Sequence, residues 1–396
     1  MEFEVFMNQC IRLLPPDGAT SRCSVAIRHP SSQTENAMYM GRPRRWSKLA
    51  LLGVAALGLA TVGGASAAES GRLLETGSSL LYPLFNIWVP VYTKTYPGVQ
   101  ITTQSTGSGT GISESVSGLA QIGASDAYLS NALEKQHPEM LNIPLAISSQ
   151  MVNYNLPGLN NEHLKLSGPV LAGIYQGKIT KWNDPEIAKL NPSVKLPDNT
   201  IVPVHRTDGS GDTFIFTQYL SDTTPDWAKS IAYGTTISWP SVNGGLGAEG
   251  NQGMVNTVNQ TPYSIAYIGI SFKGPIAQDK LGEAMLENRA GKFVLPTNAT
   301  VQSAANAMVA KTPKDERISL IFAPGADSYP IINYEYAIIK STQSDVQSAQ
   351  DLKTFLRWAL SGTGGNAASF MHQVSFVPLP ASVRKLSDAQ IAKISG

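Results

Sequence analysis

Three short segments carry side chains suited to holding an oxyanion: Thr76-Gly77-Ser78-Ser79, Gly107-Ser108-Gly109-Thr110-Gly111 and Asp208-Gly209-Ser210-Gly211-Asp212-Thr213. Each sets small hydroxyl residues and glycine just ahead of a stretch with helical character. The first turn of a helix leaves backbone N–H groups without intrahelical acceptors, and the helix dipole adds partial positive charge there. An oxyanion is therefore stabilised at such an end. Glycine lets the anion approach the backbone, and Ser or Thr adds a hydroxyl that donates or caps. Taken singly, each segment reads more simply as a capped helix after a flexible turn, because Ser and Gly are favoured there anyway. Spacing alone does not bring three loops onto one anion.

Arg206 adds a fixed positive charge. It closes a predicted strand, two residues before Asp208. Its planar guanidinium matches two oxygens of a phosphate at once, and Asp208 is placed to orient it. A surface ion pair accounts equally well for the same two residues. His137, His163, His205 and His372 lack metal-ligand spacing and read as structural or surface residues. No metal and no cofactor is expected. The tryptophans beyond the leader read as packing residues, and 243–253 as a flexible loop.

The elements that must position these groups alternate between helix and strand. Leu80, Leu81, Leu84, Phe85, Trp88, Val91 and Tyr92 lie at helical spacing over 80–96. Pro83 suits a first turn, whereas Pro90 predicts a kink or a break. Residues 99–104 alternate as a strand. Ile112, Val116 and Leu119 predict a second helix, and 121–127 a short buried strand ending in Ser125-Asp126. Further strands are expected at 200–205, 264–271 and 332–339, and a helix at 214–220. Leu352, Phe355, Leu356, Ala359 and Leu360 form another helix face, with Gly362 as its cap. This is the α/β pattern. No Pro-rich linker is present, so two domains would be joined by strand crossovers.

The chain has 396 residues, 42% hydrophobic and 15% charged, enough for two globular domains. A basic stretch after Met40, an apolar run over 49–62 and Ala65-Ser66-Ala67-Ala68 read as a signal peptide over 40–68. The run is short for a membrane span. Residues 1–39 then read as a non-native upstream extension, with Met38 or Met40 as the start. Both cysteines, Cys10 and Cys23, fall in that extension, so neither a disulfide framework nor a lipid anchor is expected. Beyond residue 68 there remain 23 basic and 25 acidic residues, a net charge of −2. That balance argues against nucleic acid as a partner. An anion bound here is held by local geometry.

Gly123-Ala124-Ser125-Asp126 and Arg206-Thr207-Asp208-Gly209-Ser210-Gly211 resemble the signature segments of the phosphate-binding proteins of bacterial phosphate ABC importers. Lys178-Ile179-Thr180-Lys181-Trp182-Asn183-Asp184 and Ile187-Ala188-Lys189-Leu190-Asn191-Pro192 are similar to a stretch between them. Phe216-Thr217-Gln218-Tyr219-Leu220-Ser221 and Ile332-Asn333-Tyr334-Glu335-Tyr336 look like the mycobacterial-type branch. The resemblance runs from about Leu74 to the C-terminus.

The resemblance implies a two-lobed α/β periplasmic-binding-protein fold of type II, with the ligand cleft between lobes joined by strand crossovers. Lobe I would be 69–147 plus 334–396, lobe II 153–326, and the hinges 148–152 and 327–333. It implies that Ser79, the Leu80 backbone N–H, Ser108, Asp126, Arg206, Ser210, Gly211 and Asp212 bind phosphate, with Asp208 orienting Arg206. Asp126 matches the carboxylate that accepts a hydrogen bond from a protonated phosphate oxygen. Asp212 stands where well-known members carry Thr; it either favours the monoanion or merely sits at a helix start. The implied protein is a monomer, periplasmic or secreted, that hands phosphate to an inner-membrane permease and its ATPase. Two rivals remain at this point: a secreted phosphatase or serine hydrolase using Ser210 and His205, and a binder of another oxyanion. The first lacks the G-x-S-x-G elbow and the triad order.

Overall fold

The computed structural model describes residues 71–396. The expected extension, the signal peptide and both cysteines lie outside the described residues. Strand β1 (Gly71–Gly77) pairs in parallel with β2 (Val99–Ser105) and β3 (Ile122–Ser125). Helices α1 (Tyr82–Thr95) and α2 (Ser108–Ser117) make the connections. Strand β4 (Met140–Tyr154) follows, buried along its whole length. Strand β5 (Val202–Arg206) leads into helix α3 (Gly211–Thr223). Strand β6 (Leu246–Ala248) leads into helix α4 (Gly250–Gln260), and β7 (Ser264–Gly269) comes next. Strand β8 (Ile332–Lys340) and helix α5 (Val346–Leu360) complete the elements that matter here.

The strands form one mixed sheet of nine in the order β2-β1-β3-β8-β4-β7-β5-β6, with Gly282–Glu283 adding beside β4. Its two halves share β4. Residues Met140 to Ser149 pair antiparallel with β8, and Gln150 to Tyr154 pair with β7. The chain thus passes from one half to the other by a change of partner inside one continuous strand. Sequence patterning missed β4 because Asn142, Pro144, Ser148, Ser149, Gln150 and Asn153 break both the alternation and the apolar run. Burial at the sheet centre covers both faces, so alternation is not required there.

Helix α1 turns Leu84, Phe85, Trp88 and Tyr92 inward, against α5. Tyr92 meets the Phe355 ring edge-on at 5.0 Å and Trp88 meets Trp358 at 6.1 Å. The Trp88 indole N–H donates to the Gly365 carbonyl at 3.0 Å, which satisfies its one polar atom. Each such aromatic contributes about 2–3 kcal/mol by leaving water. This packing holds the start of α1 in place.

Several expectations need correction. Helix α1 is not broken at Pro90, which lies on the exposed side, where water can take the carbonyl that the missing N–H leaves free. Helix α2 ends at Gly118 in the left-handed region, so Leu119 falls outside it and is 68% exposed. Helix α5 ends at Ser361 in an extended conformation, so Gly362 is not a left-handed cap. The stretch 243–253, expected as a loop, contains β6 and the first turn of α4. Strand β7 ends at Gly269, and Ile270–Phe272 forms a 3₁₀ turn.

Candidate functional site

The C-terminal ends of β1, β3 and β5 and the starts of α1, α2, α3 and α4 meet in the centre of the molecule. Ser79, Leu80, Ser108, Asp126, Arg206, Ser210, Gly211 and Asp212 are all buried there, with Asp208 half-buried beside them. In the first half, Ser78 organises the entry to α1. Its Oγ accepts from the Leu80 and Leu81 backbone N–H groups at 3.1 and 3.0 Å and donates to Asp126 Oδ1. The Leu80 N–H is therefore engaged by Ser78, and the Leu80 side chain packs into the core against Gly269. Ser79 Oγ accepts from the Asn251 backbone N–H at 3.1 Å and from Asn251 Nδ2 at 2.9 Å.

Gly107, with φ of 89°, turns the chain so that Ser108 becomes the first residue of α2. Ser108 Oγ accepts from the Asp126 backbone N–H at 3.2 Å. The Gly109 N–H donates to the Gly209 carbonyl at 2.8 Å, a direct bond between the second and third segments. Glycine is required at 211: a Cβ there would lie 2.3 Å from Asp126 Oδ2 and 2.5 Å from Ser108 Oγ.

In the second half, Arg206 ends β5 and lies between two carboxylates. Its Nε donates to Asp208 Oδ1 at 2.7 Å, its Nη2 donates to Asp208 Oδ2, and its Nη1 donates to Asp212 Oδ2 at 2.8 Å. Burial works against the charged guanidinium, but the hydrogen bonds and charge of Asp208 and Asp212 outweigh it, so Arg206 stays cationic. Burial likewise opposes ionisation of Asp208, and the Arg206 fork holds its carboxyl below the usual range. Ser210 caps α3, accepting from the Thr213 N–H at 3.1 Å.

Asp212 spends both oxygens on protein donors. Oδ1 accepts from Gln150 Nε2 at 3.0 Å, and Oδ2 accepts from Asn251 Nδ2 at 2.6 Å as well as from Arg206. Burial still pushes its carboxyl upward, with Arg206 pulling back. Asp126 differs. Burial first, then the charge of Asp212, pushes its carboxyl up, and its Oδ2 is buried without a hydrogen-bond donor.

The geometry suits a small oxyanion carrying a proton. Helix starts provide N–H groups and partial positive charge, Arg206 provides a fork, and Asp126 provides a buried acceptor. Four residues in or beside the cluster were not among the expected ligands: Ser78, Gln150, Asn251 and Glu335, which the β8–β3 register sets opposite Asp126. Ser78 lay inside the first segment and carried a readable signal as a hydroxyl ahead of a helix. Asn251 follows a glycine at a helix start. Gln150 and Glu335 lie inside strands, where nothing local marks them. Among the described residues, no group of three or more His, Cys, Asp or Glu is placed to hold a metal ion.

Residues 63–363 match the PBP superfamily domain. The chain is 36% identical to the phosphate-binding protein PstS of Methanocaldococcus jannaschii over 77% of its own length and 82% of that relative. It is 31% identical to the phosphate-binding protein PstS 3 of Mycobacterium leprae, over 85% of its length and 91% of that relative. Among solved structures it is similar to a high affinity periplasmic phosphate-binding protein (PfluDING) bound with phosphate at pH 8.5, with a TM-score of 0.64 and 20% identity. That match covers 80% of this chain and 93% of that one.

Proposed function

Because this chain belongs to the PBP superfamily and to its PstS phosphate-binding proteins, we propose that it binds inorganic phosphate between the two halves of its sheet and delivers it to an ABC import permease. One observation carries the reading. Asp126 Oδ2 is a buried acceptor without a donor, and it faces Gly211, Ser108 and the start of α3. Phosphate near neutral pH keeps at least one proton and supplies that donor. Sulfate has none, so it sets charge against charge and leaves the acceptor unpaired. An unpaired buried polar group costs about 1–3 kcal/mol, and more when charged. Sites built on such a hydrogen bond reject analogues lacking it by about 10⁴–10⁵.

The geometry supports roles for the remaining residues. Arg206, oriented by Asp208, presents its guanidinium to the phosphate oxygens, while Asp212 anchors the same fork from α3. Ser79, Ser108 and Ser210 supply hydroxyls, and the first-turn N–H groups of α2 and α3 supply backbone donors. The lobes are 69–147 with 334–396 and 153–326, and they rock about 148–152 and 327–333. Phosphate bridges them and shifts the population to the closed form, which the permease recognises. The protein works as a monomer in the periplasm or outside the cell, after loss of its leader. Catalysis is not part of the reading. The Ser210 hydroxyl caps α3, and His205 Nδ1 pairs with the Arg206 carbonyl while its ring stacks on Trp239.

Calorimetry on the protein from residue 69 onward, stripped of bound solute, tests this. Phosphate and arsenate give saturable heat, and sulfate or molybdate at millimolar levels do not compete. Absence of heat with phosphate overturns the reading, as does turnover of p-nitrophenyl phosphate at an enzymatic rate.

A further inference from the structure

Glu335 lies on β8 next to Tyr336, whose register partner is Ser125, and this sets Glu335 opposite Asp126 at the end of β3. Its side chain is fully buried. One oxygen, Oε1, accepts from Ser148 Oγ and from Asn333 Nδ2, the latter at 3.0 Å. The other, Oε2, receives no N–H or hydroxyl donor, and neither does Asp126 Oδ2. The register sets the two carboxyl groups side by side, and the charge of Asp126 opposes ionisation of Glu335. Two adjacent buried carboxyl groups cannot both ionise without like-charge repulsion in a dry site, so they hold one proton between them.

The distribution of donors says which group holds it. Asp126 receives the Ser78 hydroxyl and feels the charge of Arg206, both of which favour its charged form. For Glu335 burial dominates and Asp126 adds repulsion, so its carboxyl is pushed far above the usual range. The charged groups facing the pair are Arg206 from β5 and Asp212 from α3, with Asp208 beyond the guanidinium. From β4 and β8 come only Ser148 and Asn333, which do not titrate.

We propose that Glu335 is a specificity-determining positioning residue: kept as the neutral acid, it donates to Asp126 and so holds Asp126 as an anionic acceptor for the ligand's proton. The proposal rests on the phosphate-binding reading and deepens it. Asp126 lies in a site that by itself favours protonation. A protonated Asp126 becomes a donor, and a donor at that point accepts sulfate. Glu335 supplies the hydrogen bond that prevents this switch. At high pH the pair loses its shared proton, two buried anions then face the ligand, and affinity falls.

Two substitutions separate this role from packing. Glu335→Gln keeps a donor toward Asp126 but cannot titrate. Glu335→Leu removes the donor at similar volume. Phosphate binding is measured by calorimetry from pH 5.5 to 9.5, with sulfate as competitor and thermal melting as the folding control. Glu335→Gln is expected to retain sulfate rejection and to lose less affinity above pH 8 than wild type. Glu335→Leu is expected to let sulfate compete at least about tenfold better at pH 6, one pKa unit being a tenfold change in protonated fraction. Identical pH profiles for wild type and Glu335→Gln overturn the proposal, whether or not the Leu variant folds. Unchanged sulfate rejection in a folded Leu variant overturns it as well. Wild type that ignores phosphate altogether removes the phosphate-binding reading itself, a different failure.

Discussion

Arg206 shows why residue type matters more than charge at this site. Three of its five N–H donors serve two carboxylates, which fixes the guanidinium in a buried position and leaves two donors free. Lysine carries the same charge as a single point and cannot span Asp208 and Asp212 while also reaching a phosphate. Hydrogen bonds to charged groups contribute about 1.5–3 kcal/mol each. Arg206→Lys, which removes at least one of them and misorients another, is therefore expected to weaken phosphate binding by roughly 100-fold or more. Calorimetry at pH 7 measures it; a loss below about threefold would mean that Arg206 serves Asp208 and Asp212 but not the ligand. Asp212 carries a related lesson. A carboxylate in an anion site looks repulsive, yet here it accepts from three side chains and fixes the fork from the helix side.

At the scale of elements, function lives at junctions where a strand ends and a helix begins. Four helix starts converge, and their loops approach more closely than side chains would permit. Gly109 is the clearest case. Its N–H bonds to the Gly209 carbonyl, and a Cβ at 109 would lie 3.1 Å from the Gly209 Cα. Its φ lies outside the left-handed region, so a side chain is tolerated by α2 itself. Gly109→Val is therefore expected to cost little helix stability in α2 itself, while its side chain presses on the Gly209 backbone. It should still push the second and third segments apart and cut phosphate affinity about tenfold or more. Small-angle scattering checks the cause: wild type contracts on adding phosphate, and the variant contracts less. An unchanged affinity would show that the two loops separate in the working closed state.

The whole molecule carries a cost for its buried acids. Glu75 on β1 and Glu316 are fully buried and pushed up to about 8, chiefly by burial, with Thr103 and Ser387 as their side-chain donors. In the unfolded chain each titrates near 4.5. Between those values the folded state binds more protons, so the contribution of these two acids to stability is full below pH 4.5 and declines as pH rises toward 8. Melting of the phosphate-free protein should drop by roughly 10 °C or more between pH 5.5 and 8.5, since each acid loses about 1.4 kcal/mol per pH unit over most of that range. Glu75→Gln should flatten part of that slope. A melting temperature that rises over the same range would show that these acids ionise freely in the native state.

Local pattern was sufficient for the alternation of helix and strand, the three hydroxyl-and-glycine segments, the Arg206–Asp208 pairing and the resemblance to phosphate-binding proteins. Those signals depend on residues within a few positions of one another, where periodicity and capping chemistry act. Tertiary structure decided the rest. It made residues 140–154 one strand serving both halves, because a strand covered on two faces needs no alternation. It brought Asn251 to Ser79 and Asp212, and Glu335 to Asp126, contacts that span 39 to 209 residues of chain. Burial and long-range pairing set whether a carboxyl is a surface charge, an anchor for arginine or a holder of one proton, and neither is written in the neighbours of Asp126, Asp212 or Glu335.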